Sequence, residues 1–142
     1  MAYKYGRRGW GSANSARTVK SVSDIEYDLD TLLEGETLLS FPEVADRLGV
    51  PVTKVHDYVG AGKLVAHKAD GVNYIPEALL GGDELSKFVG GAITVLLDGG
   101  YRPEEILAYL FTDDDSLPGR PIDALHGHGA REVIRRAQAM AF

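Results

Sequence analysis

The chain has 142 residues, a formal net charge of −6 and no cysteine. This length fits one ordinary domain or a small domain with an extension. Without cysteine, disulfides, cysteine–zinc sites and cysteine nucleophiles are excluded. The longest apolar stretches, such as residues 93–97, are too short to cross a bilayer, and the first residues lack the apolar block of a signal peptide. We therefore expect a cytoplasmic protein with no membrane partner.

Charge is unevenly distributed along the chain. Residues 1–23 contain five of the 15 basic residues and no acidic one, whereas the remaining residues hold ten basic and all 21 acidic residues. Residues 1–22 are also rich in glycine and serine and show no sustained apolar period, which predicts disorder. We call residues 1–22 the basic arm. Such an arm can neutralise DNA phosphates without a fixed structure.

Two helix-start signals follow the basic arm. Residues 23–26 read Ser-Asp-Ile-Glu, which fits a capping box and predicts a first helix from Ser23. Residues 37–39 then form a candidate short strand. Ser40 is followed three residues later by Glu43, which predicts a second capping box, and Gly49 suits the left-handed position after that short helix.

In residues 51–75 the spacing of apolar residues changes from that of a helix to that of a strand. Residues 51–60 predict a third helix with Val52, Val55 and Val59 inside. Residues 64–68 and 72–75 are β-prone runs, and the Asp70-Gly71 step between them predicts a hairpin. Helix, tight turn, helix and hairpin in this order predict a winged helix-turn-helix over residues 23–80.

The rest of the chain predicts a C-terminal helical domain over residues 81–142. Its predicted helices cover residues 83–98, 103–111, 121–125 and 130–141. The last of them is amphipathic and is expected to bury Met140. The predicted fold class is therefore mainly α with a small β wing: a winged helix-turn-helix followed by a C-terminal helical domain.

Candidate DNA contacts follow from this order of elements, because the second helix of a helix-turn-helix enters the major groove. The predicted base contacts are Thr53, Lys54 and His56. The predicted phosphate contacts are Lys63, His67 and Lys68. Asp57 would repel phosphates unless it meets a cytosine amino group. The alternative is that these residues are only the solvated face of a short helix.

The predicted reading unit is electrostatically neutral. Between residues 40 and 76 there are four basic and four acidic side chains. Because non-specific affinity scales with the number of phosphates neutralised, we expect modest, salt-sensitive binding to double-stranded DNA. Arg7 and Arg8 of the basic arm are the candidate residues that make up this deficit by following the backbone or a minor groove.

The basic arm also offers a site of control. Thr18 lies between Arg17 and Lys20, and its phosphorylation would add nearly two negative charges among basic side chains. We expect that modification to lower DNA affinity. The alternative is that serine and threonine are merely common in disordered tails.

Other motifs indicate no catalytic or metal chemistry. Two histidines, His126 and His128, do not make a metal site, and residues 113–115 lack the glycine and later glutamate of a calcium loop. No nucleophile has a base and an orienting partner. We expect no enzyme, no metal and no cofactor.

Several stretches resemble a family of actinobacterial DNA-binding proteins: Leu48–Val55, Asp98–Arg102, Gly119–His126 and Arg131–Met140. The resemblance covers roughly residues 39–142. That family combines a winged helix-turn-helix with a C-terminal helical domain, and its mycobacterial member is a substrate of a Ser/Thr protein kinase. The resemblance implies DNA binding, with kinase control acting through the N-terminal tail. We expect a transcriptional regulator that is associated with the nucleoid.

Two other functions stay open at this point. Residues 119–140 are loosely similar to the C-terminal regions of some antitoxins, which favours a protein-interaction adaptor whose partner binds residues 83–142. An excisionase-like architectural factor that bends DNA is the third hypothesis. A homodimer would let two reading units contact a palindrome, although no feature of the sequence fixes the oligomeric state.

Overall fold

The computed structural model describes residues 29–142, a mainly helical fold with one small sheet. Helical residues 29–32 come first. The remaining elements are β1 (Leu38–Ser40), α1 (Phe41–Leu48), α2 (Val52–Gly60), β2 (His67–Ala69), β3 (Val72–Pro76), a 3₁₀ turn (Glu77–Leu79), α3 (Lys87–Asp98), α4 (Pro103–Leu110), α5 (Pro121–Leu125) and α6 (Ala130–Ala141). This order confirms a winged helix-turn-helix followed by C-terminal helices. The capping box at residues 23–26 and the basic arm lie outside the described residues.

Helix α1 begins and ends as its sequence predicts. The Glu43 amide donates to the Ser40 hydroxyl at 3.3 Å, and the Glu43 carboxylate accepts from the Ser40 amide at 2.7 Å. These hydrogen bonds hold the pKa of Glu43 below its ordinary value. Pro42 lies in the first turn, where its missing N–H costs nothing, and Gly49 ends the helix with a φ of 69°.

The sheet is antiparallel with strand order β1-β3-β2. Asp70 and Gly71 both have positive φ, 53° and 79°, as a two-residue hairpin turn requires. We call residues 67–76 the wing. Only the last two residues of the first predicted run, 64–68, belong to β2. Leu64 and Val65 precede the strand and are buried in the core.

The C-terminal helices are α3 to α6, and α3 is shorter than predicted. It begins at Lys87 and not at residue 83, because the Ser86 hydroxyl caps it by accepting from the Val89 amide at 3.2 Å. The residues before that cap are held by an isolated bridge between Leu80 and Leu85.

Helices α3 and α6 run side by side in the same direction. A Cβ atom at Gly91 would lie 3.6 Å from Ile134, and a Cβ atom at Gly99 would overlap Ala141. Both glycines therefore allow the two helices to approach closely. Within residues 29–142, no helix is long and apolar enough to span a membrane.

Two apolar side chains predicted to be inside are exposed instead. Val52 is 37% exposed and Met140 is 38% exposed. Val52 is the first residue of α2, and Met140 lies in the last turn of α6, so each has neighbours on only part of its circumference. Periodicity places a residue on a helix face, but it does not show where the packed part of that face ends.

The head, residues 29–80, packs directly on the C-terminal helices. Gly62 has a φ of 78°, and a Cβ atom added to it would lie 3.1 Å from the Leu97 side chain. The Gly62 carbonyl accepts a hydrogen bond from the Thr94 hydroxyl at 2.9 Å. Arg120 donates to Glu36 at 2.7 Å. His126 is hydrogen-bonded to the carbonyl of Ala78. These contacts, together with a shared hydrophobic core, join the two parts.

Candidate nucleic-acid interface

The outward face of α2 is formed by its polar side chains. Thr53, Lys54 and Asp57 are exposed, whereas Val55 is fully buried against the core. The Lys54 ammonium lies 5.8 Å from the centre of the Tyr58 ring, which keeps its charge at the helix surface. The face therefore presents one hydroxyl donor, one cation and one anion to solvent.

His56 lies at the edge of this face and is oriented by a neighbouring ring. Its imidazole is exposed and packs edge-on against Phe41, with 4.7 Å between ring centres and 68° between planes. Phe41 is the first residue of α1 and is largely buried. The contact restricts the rotamers of His56, so a polar atom at the edge of α2 is held in a defined place.

The wing presents polar groups on its exposed strands. Lys68 pairs with Asn73 across β2 and β3, and both are exposed. Asn73 was not among the predicted contacts, although the alternation of the two runs about the Asp70-Gly71 turn was enough to pair it with Lys68. An amide beside an ammonium can serve as a donor and an acceptor next to a phosphate contact.

His67 does not belong to this surface. Its ring is only 4% exposed, and its Nε2 lies 3.0 Å from a carboxylate oxygen of Asp30. The burial argues against the predicted phosphate contact, because the ring is almost fully covered and its Nε2 is already hydrogen-bonded. His67 instead ties the wing to the helical residues 29–32.

Exposed lysines and arginines differ in their pairing. Lys54, Lys63, Lys68 and Lys87 are all exposed, and none forms an ion pair within residues 29–142. Arg47, in contrast, donates to Glu77 at 2.7 Å. The count of four basic side chains in the head therefore includes one whose charge is already neutralised.

The arginines of the C-terminal helices are largely paired in the same way. Arg120 makes hydrogen bonds to both carboxylate oxygens of Asp123, and its guanidinium lies 5.3 Å from the centre of the Phe111 ring. The hydrogen bonds to Asp123, followed by those to Glu36, raise the pKa of Arg120. The side-chain hydrogen bonds that Arg120 donates lower the pKa of Asp123 in turn.

A second cluster of ion pairs fastens the loop before α5 to α6. Glu132 accepts from Arg135 and Arg136, and these hydrogen bonds lower its pKa to about 2. Arg136 also donates to the Ser116 hydroxyl at 2.7 Å. Beneath this loop, the Tyr109 hydroxyl is buried without a partner in the described part of the chain, and its burial raises its pKa.

The described residues offer little to a metal ion or cofactor. No three His, Cys, Asp or Glu side chains among residues 29–142 converge on a metal-sized site. An open cleft of about 520 Å³ lies between the head and α5, and its charged walls include Glu36, Arg47, Glu77 and His126. Each of these four already has a partner in the protein.

Of the predicted contacts, the structure brings Thr53, Lys54 and His56 together on α2 and places Lys68 on the wing. Lys63 lies in the turn between α2 and β2. Arg7, Arg8 and Thr18 lie outside the described residues. The arrangement is a polar helix face next to a wing that exposes one lysine, Lys68, and one aspartate, Asp70.

Comparisons with known proteins identify the family and agree with the fold. Residues 24–80 match the family described as "DNA-binding protein Rv2175c, wHTH domain", and residues 87–141 match "Rv2175c C-terminal domain of unknown function". The chain is 42% identical to the DNA-binding protein Rv2175c of Mycobacterium tuberculosis, over 88% of this chain and 94% of that protein. The NMR structure of Rv2175c superposes with a TM-score of 0.70 at 44% identity, covering 75% of this chain and 82% of that one.

Proposed function

This chain belongs to the family of the DNA-binding protein Rv2175c, and we propose that it binds double-stranded DNA with α2 in the major groove and the wing beside it. The observation that carries the proposal is the outward face of α2, where Thr53 and Lys54 are exposed and Lys54 has no ion-pair partner among residues 29–142. Core contacts on the other side hold the helix in place through Val55.

Three side chains of α2 are proposed to contact the bases. The Thr53 hydroxyl can donate or accept, and Lys54 can donate to guanine acceptors. His56 is oriented by Phe41 and adds a ring nitrogen at the edge of the face. Asp57 disfavours a phosphate and fits a cytosine amino group, so it favours cytosine-containing sites over others.

Phosphate contacts are proposed to come from Lys63, Lys68 and the basic arm. Lys63 and Lys68 have no ion pair in the described part of the chain, so DNA phosphates need not displace an internal partner. Five acidic side chains of the head form no ion pair among residues 29–142 and oppose this attraction: Glu34, Glu43, Asp46, Asp57 and Asp70. Arg7 and Arg8 of the basic arm would add the charge that the head lacks.

We further propose that the protein is a transcriptional regulator, not an enzyme, and works in the cytoplasm on the nucleoid. Phosphorylation of Thr18 by a Ser/Thr protein kinase would place negative charge between Arg17 and Lys20 and weaken binding. In a homodimer, two α2 helices would read the half-sites of a palindrome.

Selection of bound fragments from genomic DNA by the full chain tests the proposal. The variants Thr53→Ala and Lys54→Ala should lose the enriched sequence, while Gln138→Ala, an exposed position of α6, should retain it. No enrichment by the full chain at any salt concentration would overturn the proposed function. Strong bending of the selected fragments would favour the architectural factor instead.

Control by the arm is tested separately with the selected DNA. Thr18→Glu should weaken binding, and Thr18→Ala should leave it unchanged. Equal affinities of the two variants would contradict phosphorylation control while leaving DNA binding intact. The oligomeric state on DNA follows from the stoichiometry of the same titrations.

A further inference from the structure

We propose that Lys63, Lys87 and Arg131, here called the junction patch, form a second contact surface for the phosphate backbone of bound DNA. This inference rests on the proposed function and extends it to the C-terminal helices. It gives α3 and α6 a direct part in binding DNA outside the base pairs that α2 reads.

The first observation is the pairing of cations. Among residues 29–142, the exposed cations without an ion pair are Lys54, Lys63, Lys68, Lys87 and Arg131. Two of these, Lys54 and Lys68, lie on α2 and the wing. The other three form the junction patch.

Helix α3 brings Lys87 to the turn that carries Lys63. A Cβ atom at Gly90 would lie 3.7 Å from the carbonyl oxygen of Lys63 and 3.9 Å from its Cα. Residues three and four apart share a helix face, so Lys87 lies one turn before Gly90 on the face that contacts this turn. The contact between Thr94 and Gly62 continues the same face towards the end of α3.

Because α6 runs alongside α3, Arg131 lies near the N-terminal end of α3, where Lys87 is. The contacts of Gly91 with Ile134 and of Gly99 with Ala141 show that the two helices run parallel. Arg131 lies one turn before Ile134, so it is level with the first turn of α3. Phe88, in the same first turn, is 45% exposed.

The junction patch continues from the DNA-reading surface. Helix α2 ends at Gly60, and Lys63 follows in the turn closed by its own amide, which donates to the Tyr58 carbonyl at 2.9 Å. The loop before α3 carries Asp83 and Glu84, and Glu132 directly follows Arg131. Within residues 29–142 none of these acidic residues forms an ion pair with the patch, and Glu132 is paired with Arg135 and Arg136. A duplex held by α2 therefore has unpaired cations beside it on the C-terminal side.

The position of Lys87 is unfavourable for helix stability alone. It is the first residue of α3, no acidic residue lies in that first turn, and a cation at this end faces the positive end of the helix dipole. A bound phosphate reverses this interaction, because it satisfies both the ammonium and the helix end. The same residue is thus predicted to weaken the free protein slightly and to strengthen the complex.

The test measures the affinity of the full chain for a mixed-sequence duplex of about 30 base pairs, roughly three helical turns, at several salt concentrations. Lys87→Ala and Arg131→Ala should each lower the slope of log affinity against log salt by about 1, and the double variant by about 2. Arg102→Gln is the control: it removes the same charge, from an arginine paired with Glu105 after the end of α3. Its slope should equal that of the wild type.

A charge reversal separates binding from folding. Lys87→Glu should lower affinity more than Lys87→Ala does, yet melt at the same temperature as the wild type or higher, because a carboxylate suits the start of α3. Unchanged salt slopes in the Lys87 and Arg131 variants, with normal wild-type binding, would overturn this inference alone. A wild type that binds no DNA would overturn the proposed function with it.

Discussion

The head and the C-terminal helices use their cations differently. In the head, Lys54, Lys63 and Lys68 form no ion pair with any residue of the described range 29–142, while Arg47 is bound to Glu77. In the C-terminal helices, Arg102, Arg120, Arg135 and Arg136 are all paired, and the exceptions within the described residues are Lys87 and Arg131. Paired arginines hold the fold together, whereas unpaired cations are available to a ligand. A count of charges along the sequence does not separate these two roles.

Among substitutions that test this difference between paired and unpaired cations, Arg120→Ala is expected to have the largest effect, which is a loss of folding stability. The guanidinium is 25% exposed, holds Asp123 and Glu36, and lies over the Phe111 ring. Its loss should lower the free energy of unfolding by about 2 kcal/mol, between the values typical of buried and of surface ion pairs. Urea denaturation measures this loss, and the free energy of unfolding of Arg120→Lys should lie between those of Arg120→Ala and the wild type. A loss below about 0.5 kcal/mol would contradict a structural role.

Lys54→Ala should have the opposite signature. We expect affinity for the selected DNA to fall by about 1 kcal/mol or more, roughly fivefold, because a donor to bases or phosphates is removed. The free energy of unfolding should change little, because the side chain is exposed and its one partner in the described part of the chain is the Tyr58 ring. Titration of DNA together with denaturation of the same variant checks both. Equal affinity of variant and wild type would remove Lys54 from the interface.

Arg47→Ala provides the matched comparison within the head. It removes one positive charge, as Lys54→Ala does, but from a cation already bound to Glu77. The free energy of unfolding should fall by about 0.5 to 1 kcal/mol, since the pair is only partly exposed. DNA affinity should remain within about twofold of the wild type. If Arg47→Ala instead weakened DNA binding as much as Lys54→Ala, pairing would not distinguish the two roles.

The smallest effect concerns acid stability. Hydrogen bonds from Arg135 and then Arg136 lower the pKa of Glu132 from 4.5 to about 2 in the folded protein. A carboxyl group with a depressed folded pKa contributes stability above its unfolded pKa, and this contribution is lost as the pH falls through the folded pKa. Stability should therefore decline between about pH 4.5 and 2, and Glu132→Gln should flatten that decline. Thermal melts across this range measure it, with Glu104→Gln as the control.

Much of the fold was predictable because its signals are local. The capping box at Ser40, the left-handed Gly49 and the Asp70-Gly71 turn each depend on residues within one turn of one another. The predicted start of α3 was wrong because Leu85 continues the apolar spacing of the helix by one position, whereas the cap lies at Ser86. Hydrophobic periodicity alone does not show where a helix begins when a capping residue lies inside the periodic stretch.

The candidate site was harder to predict because its contacts link distant parts of the chain. His67 reads as an exposed strand residue until its hydrogen bond with Asp30, 37 residues earlier, shows that it is buried. Arg120 and Glu36 are 84 residues apart. Which cations are paired depends on such contacts, so the junction patch has no signature in the sequence.

The contact of Gly62 with α3 limits how far this head can be treated as a module. If the head were transplanted onto another protein, the Gly62 carbonyl would lose the Thr94 hydroxyl and the core would lose Leu97 as a cover. A transplant would also leave behind Lys87 and Arg131. We therefore expect chimaeras to keep the DNA affinity of this protein only when α3 and α6 are carried over with the head.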